Sequence, residues 1–265
     1  MSERKAILVT GSSHGIGAAT VIAFAKDGYD VGINYNKTPE GAQSVAEECR
    51  RYGVDAQIYQ CDVGRRDQCE RMLNAFINHF GRIDVLVNNA GGALKMPKGG
   101  FVDMPMDYWD EQIALNLNSA AYCSQLAARC MIEKGIHGSI INISSIHSLV
   151  TWVKRKALPY SAGKAGMNMF TKSIGVELIK YGINVNCIAP GLVYTKIMDR
   201  YSERDIRGFE RKIPAGCGGT VDDIVPMIQF LADKKKSSFI VGQTIFIDGG
   251  QSIDGVIDCM LEDEI

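Results

Sequence analysis

The stretch Ala6-Ile7-Leu8-Val9-Thr10-Gly11-Ser12-Ser13-His14-Gly15-Ile16-Gly17 decides the fold. Ala6 to Thr10 is a short, apolar, β-rich run that ends in a glycine-rich turn. Ala18 to Asp27 then has helical periodicity, and Asp30 to Tyr35 reads as a second strand. Strand, glycine loop, helix, strand is the opening of a doubly wound nucleotide-binding sheet. The glycines have separate jobs: a tight turn at Gly11, close approach to a pyrophosphate at Gly15, and close helix-on-strand packing at Gly17. A helix start adds unpaired N–H groups and a dipole that favours an anion by ~0.3–1 kcal/mol.

Outward from this stretch the alternation continues. Helices are expected near Gly41 to Tyr52, Arg66 to Phe80, around Trp109 to Lys134, Tyr160 to Tyr181 and Val221 to Leu231. Strands are expected at Ala56 to Gln60, Val85 to Asn88, Ser139 to Ile143, Asn184 to Ala189 and Thr244 to Ile247. The pattern predicts an α/β fold: a doubly wound (Rossmann) sheet of about seven mainly parallel strands, with helices on both faces. Ligands of such sheets bind outside the carboxyl ends of the strands. The polar residues there are Thr10-Gly11, Tyr35-Asn36, Asp62-Val63, Asn88-Asn89-Ala90-Gly91, Ser144-Ser145 and Pro190-Gly191.

At 265 residues the chain can bury a full core, and no linker, repeat or charge block divides it. One domain over residues 1–265 is expected. A formal net charge of −1 removes the electrostatic argument for nucleic acid or an anionic membrane and leaves a small molecule as the expected partner. Eight cysteines lie scattered without metal-site spacing, so no metal is expected and they read as buried thiols of a reducing compartment. Only Met1 to Lys5 precede the first apolar run, and no apolar run approaches the ~20 residues that span a bilayer. The expected location is the cytoplasm.

Tyr160 and Lys164 stand four residues apart on a helix and therefore share one face. An ammonium beside a phenol favours the phenolate, which makes Tyr160 a candidate proton donor and acceptor. A free tyrosine, with a pKa of about 10, is too weakly acidic to be an efficient base at neutral pH, so the pair would supply the missing shift.

Together, Gly-x-x-x-Gly-x-Gly at 11–17, Asn88-Asn89-Ala90-Gly91, Ser145, Tyr160-x-x-x-Lys164 and Pro190-Gly191 resemble the short-chain dehydrogenase/reductase family. The likeness runs from Thr10 to Ile247-Asp248-Gly249-Gly250 in the family's order. It implies an NAD(P)(H)-dependent oxidoreductase that interconverts a carbonyl and a secondary alcohol by hydride transfer. By resemblance, Tyr160 is the general acid/base, and Lys164 lowers its pKa and holds the nicotinamide ribose. Ser145 orients the substrate oxygen, and Asn116 holds a water in a proton relay. Ser144 is taken as a structural neighbour of Ser145.

The same resemblance assigns cofactor contacts to the glycine loop (Gly11, Ser13, His14, Gly15, Ile16, Gly17), to Asp62 and Val63, and to Asn89, Ala90 and Gly91. Tyr160 and Lys164 also touch the cofactor, and Pro190, Gly191, Val193 and Thr195 face the nicotinamide. Asn88 mainly stabilises the sheet. An acid at the end of the second strand would bond the ribose of NAD and repel a 2′-phosphate. Tyr35, Asn36 and Lys37 stand there instead, with His14 in the loop, which favours NADP(H) over NAD(H).

Residues 192–219 match the family's substrate lid, and Leu94, Met96, His147, Trp152, Tyr194 and Met198 are candidate pocket walls. Lys154-Arg155-Lys156 is read as a solvated basic turn, and 251–265 as an acidic tail. A 3-oxoacyl thioester, a sugar or polyol and a steroid all remain open as substrates. A dinucleotide sensor without turnover is the alternative outside enzymes, and a dimer or tetramer through the helices around Leu115 and Met169 is the implied assembly.

Overall fold

The computed structural model describes residues 4–94, 97, 100–151 and 158–253. Seven strands, β1 (Ala6–Val9), β2 (Asp30–Tyr35), β3 (Ala56–Gln60), β4 (Val85–Asn88), β5 (Ser139–Ile143), β6 (Asn184–Pro190) and β7 (Thr244–Ile247), form one sheet. Its order is β3-β2-β1-β4-β5-β6-β7, and every pairing is parallel. The order reverses between β1 and β4, which makes the carboxyl ends of these two strands the switch-point crevice.

Side chains alternate across a strand, so β1 feeds two cores. Ile7 and Val9 pack with α1 (Gly15–Lys26), α2 (Glu40–Arg50) and α8 (Val221–Ala232). Ala6 and Leu8 face the other way, toward α3 (Arg66–Phe80) and α5 (Ser119–Glu133). Each large apolar side chain fully buried here contributes roughly 1.5–3 kcal/mol. Strands buried on both faces are rich in apolar residues, β1 without interruption, which makes them legible in the sequence.

The helix expected around Trp109 to Lys134 is three pieces in line. α4 (Met106–Ile113) runs into a five-residue π segment, Ala114–Asn118, and then into α5. α6 (Leu158–Leu178) lies across this joint, and Gly163 and Gly166 admit it: a Cβ at Gly163 would stand 3.1 Å from Asn116 Cβ, and one at Gly166 would stand 2.9 Å from Leu117 Cδ2. The segment expected as a lid contains a helix, α7 (Glu203–Glu210), closed at its start by a Ser202/Asp205 capping box. A short α9 (Lys234–Ser237) precedes β7.

Gly32 shows how tightly the second core is filled. A Cβ there would lie 2.6 Å from Phe76 Cδ2 and 2.8 Å from Leu8 Cδ1. Glycine within a strand marks such a close approach. Gly32→Ala should therefore destabilise the chain by roughly 1–3 kcal/mol in urea denaturation. Adding Phe76→Leu, which withdraws the ring, should return part of that loss, whereas simple additivity would contradict the contact.

Candidate active site

The glycine turn opens at the switch point. Gly11 has φ +61°, and a Cβ there would stand 2.9 Å from Ala90 Cα, so both conformation and space call for glycine. A Cβ at Gly17 would meet Asn89 Nδ2 at 2.5 Å, the tight packing expected of this position. Asn89 Nδ2 donates to the carbonyls of Thr10 (2.9 Å) and Gly11 (3.0 Å), while the N–H groups of Asn89 and Ala90 both donate to Thr10 Oγ1 at 3.0 Å. The Asn89 amide thus holds the turn in place. Asn88 donates to Asn142 Oδ1 on the neighbouring β5 and to Ser124 Oγ on α5.

His14 is the N-cap of α1 and makes no side-chain cap bond, and the first turn holds no acid. The first N–H groups of the helix therefore lack a side-chain acceptor, which suits a phosphate. Ser13 Oγ lies 3.0 Å from His14 Nδ1, and Ile16 packs against the core. Gly15 faces Thr195, whose Cγ2 would be 3.4 Å from an added Cβ. These features fit a dinucleotide: an uncapped helix start, and a turn where Cβ atoms would fill the cradle.

At the neighbouring strand ends, Tyr35 is partly buried, and Asn36 and Lys37 are exposed. Asp62 Oδ1 accepts from Gly64 N at 3.0 Å, while the Asp62 N–H donates to Gln68 Oε1. The Val63 side chain is buried in the core with Cys69 and Met72, so only its backbone remains for a ligand. Pro190 and Val193 are buried, and Gly191 N donates to Ile247 O at 3.0 Å.

Two buried amides escaped the sequence reading. Asn34, 2% exposed, accepts from Gly11 N through Oδ1 at 2.8 Å. Its Nδ2 donates to the carbonyls of Tyr35, Tyr59 and Cys61. Gln112, also buried, accepts a 3.3 Å bond from Asn116 Nδ2. The signal for both was a polar residue at a core position of an apolar pattern, since such a group must find partners.

The four residues expected to carry chemistry converge. The π segment turns Asn116 inward, where Oδ1 accepts from Gly92 N at 2.9 Å and Nδ2 donates to the carbonyls of Gly92 and Gln112. Lys164 is 2% exposed and donates through Nζ to Ile143 O at 2.7 Å. A Cβ on Gly91 would stand 2.9 Å from both Asn116 Oδ1 and Lys164 Nζ, so these groups face one another across a glycine. The Ser145 side chain acts on the Tyr160 phenol. Ser145 Oγ also accepts from His147 N at 3.2 Å, and the His147 ring meets Tyr160 edge-on at 5.9 Å. Ser144 points elsewhere, donating to Lys164 O at 3.0 Å.

One electrostatic expectation is reversed. Burial pushes the Tyr160 phenol above its ordinary value, and the hydrogen bond with Ser145 pulls the other way without overcoming it. The ammonium was expected to lower it, yet Lys164 Nζ lies 5.8 Å from the centre of the ring and is bonded to Ile143 O. Lys164 is itself pushed down to about 8 by burial, with the Cys187 thiol acting in the opposite sense. His147 is also lowered by burial.

Beyond the site, Tyr194 joins the two arms of the segment 192–219: its hydroxyl bonds Glu210 Oε1 and accepts from Gly218 N at 3.0 Å. Leu94 is exposed and Met198 buried. Met96, Trp152, Lys154, Arg155, Lys156 and residues 254–265 lie outside the described residues. Among those described, no group of His, Cys, Asp or Glu could hold a metal ion, and no helix is long and apolar enough to cross a membrane.

A glycine turn at the switch point of the sheet thus faces a cluster of Ser145, Tyr160, Lys164 and Asn116. Residues 11–252 match a family model described as enoyl-(acyl carrier protein) reductase. The chain is 35% identical over 244 residues to an uncharacterized oxidoreductase, YohF, of Escherichia coli, covering 92% of this chain and 94% of that one. It is 36% identical over 250 residues to the 3-oxoacyl-[acyl-carrier-protein] reductase FabG of Staphylococcus aureus, covering 94% and 99%. The crystal structure of acetoin dehydrogenase YohF from Salmonella typhimurium superposes with a TM-score of 0.84 at 33% identity, covering 95% of this chain and 99% of that one. The chain belongs to the short-chain dehydrogenase/reductase family. It is an oxidoreductase of carbonyl and alcohol groups, and its family uses NAD(P) cofactors.

The buried lysine carries a stability signature. Its folded-state value near 8 lies below the usual 10.5, so between these values the unfolded chain binds more protons and stability rises with pH. In Lys164→Met this contribution is gone, so against the opposite pull of the buried thiols the slope of stability from pH 8 to 10 should be less positive than in the parent. Urea melts of both proteins across that window measure the difference.

Proposed function

We propose that the chain is an NADP(H)-preferring reductase of a ketone, with Asn116, Ser145, Tyr160 and Lys164 as its working residues. The observation that carries this reading is the meeting of Asn116 Oδ1 and Lys164 Nζ across Gly91, beside a Ser145 and a Tyr160 that both contact His147. The nicotinamide, when bound, supplies or accepts the hydride. Ser145, its oxygen already accepting from His147 N, orients the substrate carbonyl through its own proton. Tyr160 donates its proton to the oxygen as it becomes an alkoxide. Lys164 holds the ribose and favours the phenolate left behind, and Asn116, fixed by Gly92 and Gln112, marks the exit of the proton relay.

A phenol raised by burial is protonated at neutral pH, which suits the donor's role and hence reduction. Oxidation requires the phenolate and gains as pH rises. A 3-oxoacyl ester is the substrate class the FabG likeness favours, with a hydroxyketone second because the structural neighbour is titled an acetoin dehydrogenase. Sugars, polyols and steroids complete the panel.

NADP(H) preference rests on the absence of an acid at Tyr35-Asn36-Lys37 and on the exposed cation of Lys37 after the second strand. The remaining assignments are the cofactor contacts named from the resemblance, a substrate lid at 192–219, a tail at 251–265, a cytoplasmic location and a dimer or tetramer. Exposed Met169 and Val176 on α6 support the assembly, and the six cysteines buried and free among the described residues support a reducing compartment.

Tyr160→Phe should lower reduction by about 10²- to 10⁴-fold across the panel with NADPH. The parent's reduction should hold through neutral pH and fall only in the alkaline range, while its oxidation rises with pH. Unchanged turnover in Tyr160→Phe would refute the acid/base role. Lys37→Glu should move the NADPH/NADH ratio of kcat/KM toward NADH by roughly tenfold, since it substitutes an acid for a cation at the 2′-phosphate. A parent that already prefers NADH would overturn the cofactor assignment.

A further inference from the structure

Asn34 binds three parts of the carboxyl edge at once. Its Oδ1 takes the Gly11 N–H at the left-handed turn, and its Nδ2 reaches the carbonyls of Tyr35 (3.2 Å), Tyr59 (3.2 Å) and Cys61 (3.1 Å). Its backbone closes a second ring. Asn34 N donates to Ser12 Oγ at 3.0 Å, Ser12 N returns a 2.9 Å bond to Asn34 O, and Ser12 Oγ donates to Val9 O at 2.7 Å. Ser12 is fully buried, so neither ring is supported by solvent.

Only a carboxamide of this length satisfies the set. The pocket presents one donor on one side and three acceptors on the other, which orients the amide and excludes its flipped form. An aspartate would keep the Gly11 bond but set a carboxylate against three carbonyls. A leucine would leave the Gly11 N–H without its acceptor and remove a donor from the three carbonyls, of which Tyr35 O keeps its 2.9 Å bond from Cys61 N, at a cost typical of buried unsatisfied groups.

The groups tied together are those that would face opposite ends of one ligand. Gly11 and Ser12 begin the turn that leads to the uncapped start of α1, and Tyr35 and Cys61 immediately precede Asn36-Lys37 and Asp62. We infer that Asn34 is a positioning residue for the dinucleotide: one buried amide that sets the phosphate-binding turn at a fixed distance from the strand ends that receive the adenosine half. The role rests on reading this crevice as the dinucleotide site. Asn34 touches no ligand itself. It removes, before binding, the freedom with which the turn and the two strand ends could move apart, and so the ordering cost that binding would otherwise carry.

The test titrates NADPH into the parent, Asn34→Asp and Asn34→Leu, following nucleotide fluorescence well below each melting transition, where the unfolded population does not affect affinity. Kd should rise roughly tenfold in Asn34→Asp and further in Asn34→Leu. A folded Asn34→Leu with parental affinity overturns the inference. A parent that binds neither NADPH nor NADH overturns instead the dinucleotide reading beneath it.

Hydrogen exchange at the Gly11 amide of the parent decides the matter even if the variants fail to fold. Strong protection without nucleotide, unchanged by adding NADPH, is the mark of a turn set in advance by Asn34. Rapid exchange in the free protein, slowed only by NADPH, would mean that the ligand rather than Asn34 orders the turn, and would overturn the inference.

Discussion

Where parallel strands end together, the ladder of hydrogen bonds stops while the chain is still buried, and each emerging N–H and C=O needs a new partner. This chain meets the requirement largely with side-chain amides and hydroxyls. Asn34 serves the turn after β1 and the ends of β2 and β3, Thr10 and Asn89 bind that turn to the end of β4, and Asn116 receives the chain after Gly91. The crevice owes its shape to these bonds. Each acts between elements distant in sequence, so the edge is correct only when the whole sheet is.

The same burial that secures the edge sets the electrostatics of the site. An ammonium at Lys164, withdrawn from water with Ile143 O as its hydrogen-bond partner, holds its proton less tightly than a surface lysine. A phenol at Tyr160 holds its proton more tightly for the same reason, namely that burial disfavours the charged form. The opposing shifts leave Tyr160 protonated near neutral pH. Polar groups placed this way oppose stability, and the two apolar cores on either side of the sheet provide the opposing term.

Much of the architecture was readable because its causes are local. The run at β1 is apolar throughout and those at β4 and β5 are mainly so, and the turn after Thr10 needs glycine for its own backbone angle. Tyr160 and Lys164 share a helix face by spacing alone. The π segment at Ala114–Asn118 was not legible, because it answers to the packing of α6 at Gly163 and Gly166 rather than to its own residue types. The helix at Glu203–Glu210 was missed although its capping box, Ser202 to Asp205, stands in the sequence.

The sequence by itself determined the alternation of strands and helices and, through the family resemblance, the candidate site residues, since periodicity, turn chemistry and motif spacing are properties of short segments. Only the tertiary structure decided that Asn34 and Gln112 belong to the site and that Ser144 turns away from Ser145. It alone decided the sign of the Tyr160 shift. Hydrogen-bond partners and desolvation depend on which groups from remote segments surround an atom, and spacing along the chain carries no record of that.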